Sequence, residues 1–284
     1  MANEPFTIAE AELYIPELWS PTLLDAVKCK LVMADLTVDR SAQLQGGDRL
    51  KIPRLGAMAA NPKQPKQNVT LQQPAGDAVS LEIDQHVEAS ILVEDAAAAV
   101  TKYNLIDEFI RVEGAAAIAK KFDADLLTLY SEAQGAVQAG GHTGDDLKAD
   151  LLRMLRQLNE ADAPEEERFF VIHPATLERL LALDPVISRD YNPMADGIVS
   201  GQLNMLLGAK IFVTTNVPAT VDSGVTTYHN LYFQKNAFTY AVALGPRVQF
   251  AYLQDKLGTL ATADMAYGVA AQRPSFAVEF SISE

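Results

Sequence analysis

Hydrophobic and polar residues alternate along one unusually long stretch of the chain, residues 79–93. Strict alternation over this length predicts a β-strand with one buried face. Its 15 residues, at about 3.3 Å each, would extend roughly 50 Å, about three times a typical strand. The apolar face carries Val79, Leu81, Ile83, Val87, Ala89, Ile91 and Val93, and only Gln85 interrupts it.

A helical period replaces the alternation directly after this strand. Apolar residues recur every three or four positions from Val100 to Leu129, and no proline interrupts them. This spacing predicts a helix over about residues 95–131. At 1.5 Å per residue such a helix would span roughly 55 Å, against a mean helix of about 11–12 residues. Gly114 marks a position where it can kink. A coiled-coil helix is the alternative, although heptads with charged e and g positions are not evident.

A polar loop precedes the long strand. Residues 56–74 are rich in proline, lysine and glutamine and offer little to bury, which predicts an exposed loop tip. Residues 49–52 alternate as a strand, and Pro53 either ends that strand or places it at a sheet edge. Together with residues 79–93 this predicts a long two-stranded hairpin. An isolated hairpin is only marginally stable in water, so we expect this one to lean on another element or another copy of the chain.

The two ends of the chain are organised differently from this middle part. Ser20 and Pro21 match an N-cap followed by proline at the first helical position, which predicts a short amphipathic helix behind an extended arm. Gly135 and the glycines at 140–144 predict a flexible joint. Beyond it, residues 145–238 show a helix, a buried strand, a second helix and another strand, which indicates a separate α/β layer. The tail to Ile282 is rich in strand patterns.

Composition narrows the class of protein. The 284 residues are 49% hydrophobic and 21% charged, as in ordinary soluble folded proteins. A net charge of −14 argues against a protein that grips nucleic acid, because phosphate binding needs a basic surface. Cys29 is the only cysteine, so no intrachain disulfide can form. We expect neither a signal peptide nor a membrane span, because no long apolar run occurs.

Motifs for catalysis or cofactor binding are missing from the sequence. We find no phosphate-binding glycine loop, no dinucleotide fingerprint, no nucleophile elbow and no His-Glu-x-x-His zinc motif. The four histidines are widely spaced, and none has a partner at metal-ligand spacing. His173, which precedes Pro174, fits the start of a helix better than a catalytic base. The sequence therefore predicts no enzyme, no cofactor and no metal site.

Several segments together resemble the major capsid proteins of tailed bacteriophages. In the second half these are residues 168–174 (RFFVIHP), 197–218 and 263–274 (ADMAYGVAAQRP). In the first half they are residues 15–19 (IPELW) and 47–53 (GDRLKIP). Each segment alone is a weak signal. Their order, and their agreement with an overlong hairpin and helix, carry the resemblance.

The resemblance implies the Hong Kong 97-type capsid fold, of class α+β. In that fold residues 1–44 form an N-terminal arm and helix, and residues 45–93 form the extended loop, a long β-hairpin. Residues 94–138 contain the spine helix of the peripheral domain, and residues 139–238 form the axial domain. Residues 239–284 supply the C-terminal strands of the peripheral domain.

The resemblance also implies a structural function. Members of this family self-assemble as hexamers and pentamers into an icosahedral shell that encloses double-stranded DNA without binding it specifically. Scaffolding, portal and decoration proteins are the implied partners, and assembly in the host cytoplasm leads to the virion capsid. On this interpretation the acidic excess lies partly on the lumen, where it keeps DNA from sticking.

The candidate inter-subunit contacts follow from the predicted arm and hairpin. Some family members crosslink subunits through a Lys-Asn isopeptide bond, and Lys63 and Lys66 lie where such a lysine would sit. That chemistry needs a desolvated lysine beside an acid, which the sequence does not show, and solvated loop charges that pair with acidic neighbours are the alternative. The predicted contacts are Trp19, Arg49, Arg54, Lys63, Lys66, Leu81, Ile83 and Val87.

Three other functions are compatible with parts of this pattern. An encapsulin-type nanocompartment shares the fold but holds cargo enzymes. An α/β enzyme built on residues 145–238 would need a convergent polar site, and no motif supplies one. A tail or adaptor protein that forms rings is the third. The geometry of the assembled particle would distinguish them.

Overall fold

The computed structural model of the protein describes ten stretches of the chain. Predictions on Trp19, Cys29 and the helix after Ser20 lie outside them, as does the middle of the predicted long helix. The described residues are 32–44, 47–56, 58–63, 65–66, 68–69, 71–72, 76–96, 113–139, 144–183 and 203–283.

Within these residues the chain forms four α-helices and thirteen strands. The helices are α1 (Met33–Leu36), α2 (Ala115–Thr128), α3 (Gly144–Glu160) and α4 (Pro174–Leu181). The strands of the first half are β1 (Val38–Asp39), β2 (Arg49–Leu55), β3 (Gly76–Glu82), β4 (Gln85–Glu94) and β5 (Gly135–Gln138). Those of the second half are β6 (Arg168–Ile172), β7 (Met205–Leu206), β8 (Ala209–Val213), β9 (Ala219–Asp222), β10 (Val225–Gln234), β11 (Phe238–Leu253), β12 (Gly258–Ala271) and β13 (Ala277–Ser283).

The strands form three sheets. A four-stranded sheet has the order β1-β11-β12-β4, with β12 antiparallel to both of its neighbours. A seven-stranded sheet has the order β5-β13-β10-β6-β8-β7, and β9 pairs with β10 beside it. The hairpin β2-β3 is a two-stranded sheet of its own.

One continuous hydrophobic core joins the two larger sheets. Helix α2 packs on the four-stranded sheet, where the ring of Phe122 meets Tyr240 and Tyr267 edge-on at centroid distances of 5.2 and 4.8 Å. Strand β6 is buried along its whole length, as its uninterrupted apolar run predicts. Among the helices that the structure describes, none is long and apolar enough to cross a bilayer.

The long predicted strand is two strands, so the prediction of a single strand over residues 79–93, paired throughout as one long hairpin, is wrong. β3 pairs with β2, whereas β4 pairs with β12 in the four-stranded sheet. At Ile83 and Asp84, between β3 and β4, the chain passes close to Gly268 of β12 and its pairing changes from β2 to β12. A Cβ atom at Gly268 would lie 1.9 Å from the Glu82 carbonyl oxygen. Inward and outward positions continue in phase through the break, which is why alternation alone does not reveal it.

The second half of the long helix is confirmed. Helix α2 runs to Thr128 and tightens into a 3₁₀ turn at Leu129–Glu132. Its buried face contains Ile118, Phe122, Asp123, Leu126 and Leu127.

Gly135 does not belong to a flexible joint, which corrects the prediction made from the glycine cluster. It is the first residue of β5, and a Cβ there would lie 2.6 Å from Gln157 Oε1 and 2.8 Å from Val278 Cγ2. The glycine is required by close packing between β5, α3 and β13. Gly144 is the first residue of α3, and residues 140–143 lie outside the described residues.

The predicted order helix, strand, helix, strand is present after residue 144, as α3, β6, α4 and β8. His173 starts α4 as predicted, because its Nδ1 accepts a hydrogen bond from the Ala175 N–H at 3.2 Å. The C-terminal strand β13, however, pairs with β10 and β5 of the seven-stranded sheet. The predicted boundary at residue 238 therefore does not separate the sheets.

Candidate functional site

The hairpin β2-β3 pairs with neither of the two larger sheets. Its strands pair antiparallel from Arg49 opposite Glu82 to Leu55 opposite Gly76. Arg49 and Glu82 form an ion pair at 3.0 Å across the base, with both side chains half exposed. Pro53 lies within β2, which has no partner on its other side among the described residues. The structure thus supports the edge-strand alternative for this proline.

The base of the hairpin is fixed to its own subunit. Leu81 is fully buried, and it packs with Ile52 of β2 and Ala241 of β11. The prediction of Leu81 as an inter-subunit contact is therefore wrong, because its side chain has no surface left for a neighbour. Ile83 and Val87 are half-buried against the same chain, so only their exposed parts are left for a neighbour.

The tip of the hairpin presents bare apolar side chains. The exposed fractions are 67% for Met58, 64% for Val69 and 90% for Leu71. The side-chain amide of Gln72 accepts from Ala59 N at 2.9 Å and donates to Ala59 O at 2.5 Å. These two hydrogen bonds resemble the pairing between neighbouring strands, and they connect the two sides of the loop.

The hairpin is basic, whereas the rest of the chain is acidic. Residues 49–82 contain five lysines and arginines and two acids, Asp77 and Glu82, a net charge of +3, and all five cations lie at residues 49–66. Because the whole chain carries −14, the remaining residues carry −17. The candidate contacts Arg49, Arg54, Lys63 and Lys66 all lie on this basic hairpin and are exposed.

Lys63 lines an open cavity of about 530 Å³ at the tip, together with Asn61, Asn68 and Gln72. No acidic side chain is among the described residues that line it. The described lining therefore supplies no acid for a lysine-asparagine bond at this position.

A second exposed apolar surface lies at the far end of the four-stranded sheet. Phe250 is 47% exposed, Tyr252 53% and Leu257 65%. The Tyr252 hydroxyl donates to Asp95 Oδ2 at 2.8 Å, and this hydrogen bond raises the pKa of the phenol. Glu94 and Asp255 are exposed beside them. We call these six residues (Glu94, Asp95, Phe250, Tyr252, Asp255 and Leu257) the acidic sheet end.

Among the described strands, none pairs with most of the outer edge of β11. Strand β1 pairs with it only at Thr239 and Tyr240, and no other described strand pairs on that side. An open edge with exposed aromatic residues is a surface that another chain can cover.

A buried carboxylate links three strands in the middle of the same sheet. Asp264 of β12 accepts from Arg247 Nε at 2.9 Å and from Arg247 Nη2 at 3.0 Å, and His86 Nε2 lies 3.1 Å from its second oxygen. The hydrogen bonds from Arg247, and then from His86, lower the pKa of Asp264 from its ordinary 3.8 to about 2. The carboxylate therefore stays charged where β11 is bulged.

Sequence reasoning predicted an exposed loop tip and named its lysines and arginines as candidate contacts, but it missed the excess of positive charge on the hairpin and the acidic sheet end. The one available signal was the polar turn at residues 254–256 between two strand patterns. It also missed Asp123, an acidic residue on the apolar stripe of α2 that is 2% exposed. Trp19 lies outside the described residues.

The chain is similar to known proteins both in sequence and in fold. A family model described as phage capsid protein matches residues 36–284. No curated protein matches the chain. A solved structure from Mycobacterium phage Che8 is 24% identical with a TM-score of 0.82, covering 94% of this chain and 97% of that one.

Two further solved structures show the same similarity. The capsid of Cyanophage P-SCSP1u is 17% identical with a TM-score of 0.80, covering 96% of this chain and 94% of that one. The capsid of a native GTA particle, computed with C5 symmetry, is 12% identical with a TM-score of 0.78 and 99% coverage of both chains. At these identities the likeness shows the fold, and it confirms the predicted capsid fold of class α+β.

The family match extends from the last residue of α1 to the C-terminal strand, so it includes the hairpin, helices α2 to α4 and all three sheets. It favours a phage capsid over an encapsulin-type compartment and leaves no role for an enzyme built on residues 145–238. The chain therefore belongs to the phage capsid protein family and is a structural major capsid protein of a tailed-phage virion.

Proposed function

We propose that copies of this chain assemble as hexamers and pentamers into a closed icosahedral shell around a double-stranded DNA genome. The observation that carries the proposal is a pair of complementary surfaces on one chain. The hairpin tip is apolar and basic, and the acidic sheet end is apolar and acidic. In the proposed contact, the tip of one copy lies on the acidic sheet end of the next.

Two different surfaces that complement each other give a head-to-tail contact. Such a contact repeats around a ring and closes when the rotation between copies is an integral fraction of a turn. The GTA capsid was computed with C5 symmetry, which accords with rings of five at the vertices. Rings of six would use the same two surfaces with a slightly smaller rotation.

The energetics fit an assembly built from weak repeated contacts. Burying an exposed side chain such as Leu71 or Leu257 contributes about 1.5–3 kcal/mol. Each surface ion pair between the two surfaces adds only about 0–1 kcal/mol. Every copy in a ring makes the contact twice, once with each surface, so the ring is more stable than an isolated pair. The charges chiefly select the partner and the register.

Other predicted contacts and partners remain part of this proposal. Arg49 already pairs with Glu82 of its own chain, and its exposed side would face the neighbour. Arg54, Lys63 and Lys66 would pair with acidic residues of the neighbour. Scaffolding, portal and decoration proteins are the expected partners during assembly in the host cytoplasm. The acidic body repels polyanions, so the shell would enclose DNA without specific binding.

The test begins with negative-stain electron microscopy and size-exclusion chromatography of the full chain, expressed alone and with a scaffolding protein. We expect closed particles or capsomer-sized rings. The contact is then tested by charge reversal: Lys63→Glu with Lys66→Glu should abolish assembly while leaving the thermal unfolding of the subunit unchanged. Glu94→Lys with Asp255→Lys should do the same.

Combining all four substitutions restores opposite charges and should restore particles. Leu152→Ala, at an exposed leucine of α3 that belongs to neither surface, is the matched control and should assemble as the unmodified chain does. A charge-reversed hairpin that still assembles normally would contradict the proposed contact. A subunit that stays monomeric alone and with scaffold would contradict self-assembly itself.

A further inference from the structure

A leucine with a left-handed backbone lies in the turn between β11 and β12. Leu257 has φ +42°, and its side chain is 65% exposed. In this region of φ the Cβ atom of an L-residue comes too close to the following carbonyl oxygen, so glycine and asparagine adopt it far more readily than leucine does. A bulky aliphatic residue with this backbone is an outlier, and an outlier of this kind is grounds for a functional hypothesis.

The turn requires this backbone conformation but does not require leucine. Strand β11 ends at Leu253 and β12 begins at Gly258, so four residues form the loop, and Lys256 N donates to Leu253 O at 3.2 Å. Hairpin loops of this length are most often built around such a turn. The carbonyl of Leu257 accepts a hydrogen bond from Asp95 N at 3.0 Å, which uses only its backbone. Glycine or asparagine at this position would make the same bond.

A second leucine with a left-handed backbone provides an internal comparison. Leu207 has φ +49° in the turn between β7 and β8. Its side chain is half-buried against the main hydrophobic core, and its carbonyl accepts a hydrogen bond from the Tyr232 hydroxyl at 3.2 Å. Core packing therefore accounts for leucine at residue 207. Leu257 belongs to neither hydrophobic cluster of the described residues, so its own subunit gives no comparable reason for it.

We propose that Leu257 anchors the hairpin tip of the next copy on the acidic sheet end and determines the specificity of that contact. The inference rests on the assembly function proposed above and names the residue on which the contact depends. In the free subunit, leucine at this position strains the turn and exposes its side chain to water. In the contact a second copy buries that side chain, which offsets both costs.

Charge complementarity favours the hairpin tip as the occupant. Lys63 and Lys66 at the tip are exposed, and residues 50–76 contain no acid. The acidic sheet end has three acids, and Lys256 in its turn changes their net charge from −3 to −2. Leu71 is 90% exposed and supplies the apolar part of the tip. Opposite charges around an apolar centre fix which surfaces meet and in which register.

The experiment makes the same substitution at the two leucines. Asparagine accepts the left-handed backbone and removes the apolar side chain. In urea titrations of the unassembled subunit, Leu257→Asn should leave the unfolding midpoint unchanged or raise it. Leu207→Asn should lower the midpoint by roughly 0.5 M or more, because it removes core contacts.

Assembly should respond in the opposite order. Light scattering gives the subunit concentration at which particles form, and electron microscopy confirms the particles. Leu257→Asn should raise this concentration about tenfold or more, the factor expected when an apolar anchor is lost. Folded Leu207→Asn should assemble as the unmodified chain does. Leu257→Met, which keeps an apolar side chain of similar volume, should also assemble.

A double-mutant cycle with Leu71 tests the occupant. Leu71→Asn alone should raise the same concentration. Combined with Leu257→Asn, the increase should be smaller than the product of the two single increases, because both substitutions remove one shared contact. Increases that simply multiply would mean that the hairpin tip does not cover Leu257, and would overturn its assignment as the occupant.

The outcomes separate this inference from the proposed function. A lower urea midpoint for Leu257→Asn would show that the side chain stabilises its own subunit, and unchanged assembly would show that it is no anchor. Either result overturns the inference. The proposed function fails in a different way, with the unmodified chain, Leu207→Asn and Leu257→Met all remaining unassembled.

Discussion

Gly268→Ala adds a single methyl group where the chain passes from β3 to β4 close to β12. We expect it to lower the stability of the subunit more than any other substitution of this size. The added Cβ would lie 1.9 Å from the Glu82 carbonyl oxygen, 2.8 Å from the Glu82 carbonyl carbon and 3.2 Å from Ile83 Cα. All three are backbone atoms, so no side-chain rotation relieves the overlap. The added methyl group tests whether this glycine is what allows the chain to pass from one sheet to the other.

The magnitude follows from the displacement. Ordinary van der Waals contact begins at 3.4 Å, so the Glu82 oxygen must move by the 1.5 Å that separates this from 1.9 Å. Overpacking in a well-packed interior costs about 1–3 kcal/mol. A shift of this size also moves Leu81 within its fully buried site, whose burial contributes about 1.5–3 kcal/mol. We therefore expect the free energy of unfolding to fall by roughly 3–5 kcal/mol.

Chemical denaturation of the unassembled subunit measures this loss. Gly245→Ala is the matched control, because Gly245 lies in β11 of the same sheet and a Cβ there meets nothing within 4 Å. Its free energy of unfolding should change by less than about 1 kcal/mol. If both variants lose the same stability, or if Gly268→Ala loses none, then close backbone approach is not what requires glycine at residue 268.

Two further predictions concern the same part of the fold. Leu81→Ala should lower the free energy of unfolding by about 2–5 kcal/mol because it opens a cavity at the hairpin base. The control Leu71→Ala, at a side chain that is 90% exposed, should change it by less than about 0.5 kcal/mol. Equal losses in denaturant titrations would contradict the assignment of Leu81 to the core. Because Asp264 has its pKa lowered from 3.8 to about 2, its contribution to stability is present above about pH 4 and is lost as the pH falls through 2. Denaturation at pH values from 7 to 2 should therefore show a difference in the free energy of unfolding between the unmodified chain and Asp264→Asn that disappears only below pH 4. A difference that disappears near neutral pH would contradict the lowered pKa of Asp264.

Alternation in the sequence predicts which face of residues 79–93 is buried, and the structure confirms that face. It does not predict which strand the residues pair with, because a strand can change partners without changing phase. The signal for the change is Gly268, which is far away in sequence and is only one of 16 glycines. The break at Ile83 was therefore not predictable from local pattern.

The candidate site was predictable only on its basic half. Five cations without an acid stand out in any reading of residues 49–75. Phe250 and Tyr252, by contrast, look like core aromatic residues of a strand, and nothing in their local pattern shows that their side chains are about half exposed. Asp123 was visible as an acid on an apolar stripe. Its carboxylate accepts hydrogen bonds from the backbone N–H of Val32 and from the side-chain amide of Asn216, and these partners are set by tertiary structure alone.

A fixed base and a bare tip give the hairpin different roles along its length. Leu81, Ile52 and the bonds between β2 and β3 hold the base in one orientation before any neighbour arrives. Association then orders fewer residues than it would for a flexible loop, so less conformational entropy opposes each contact. A small entropy loss is important for a shell, because weak apolar contacts and screened ion pairs contribute little free energy to offset it. The chain exposes Leu71 almost completely and buries Leu81 completely, so the apolar surface that the proposed contact would cover is at the tip and the surface that the subunit covers itself is at the base.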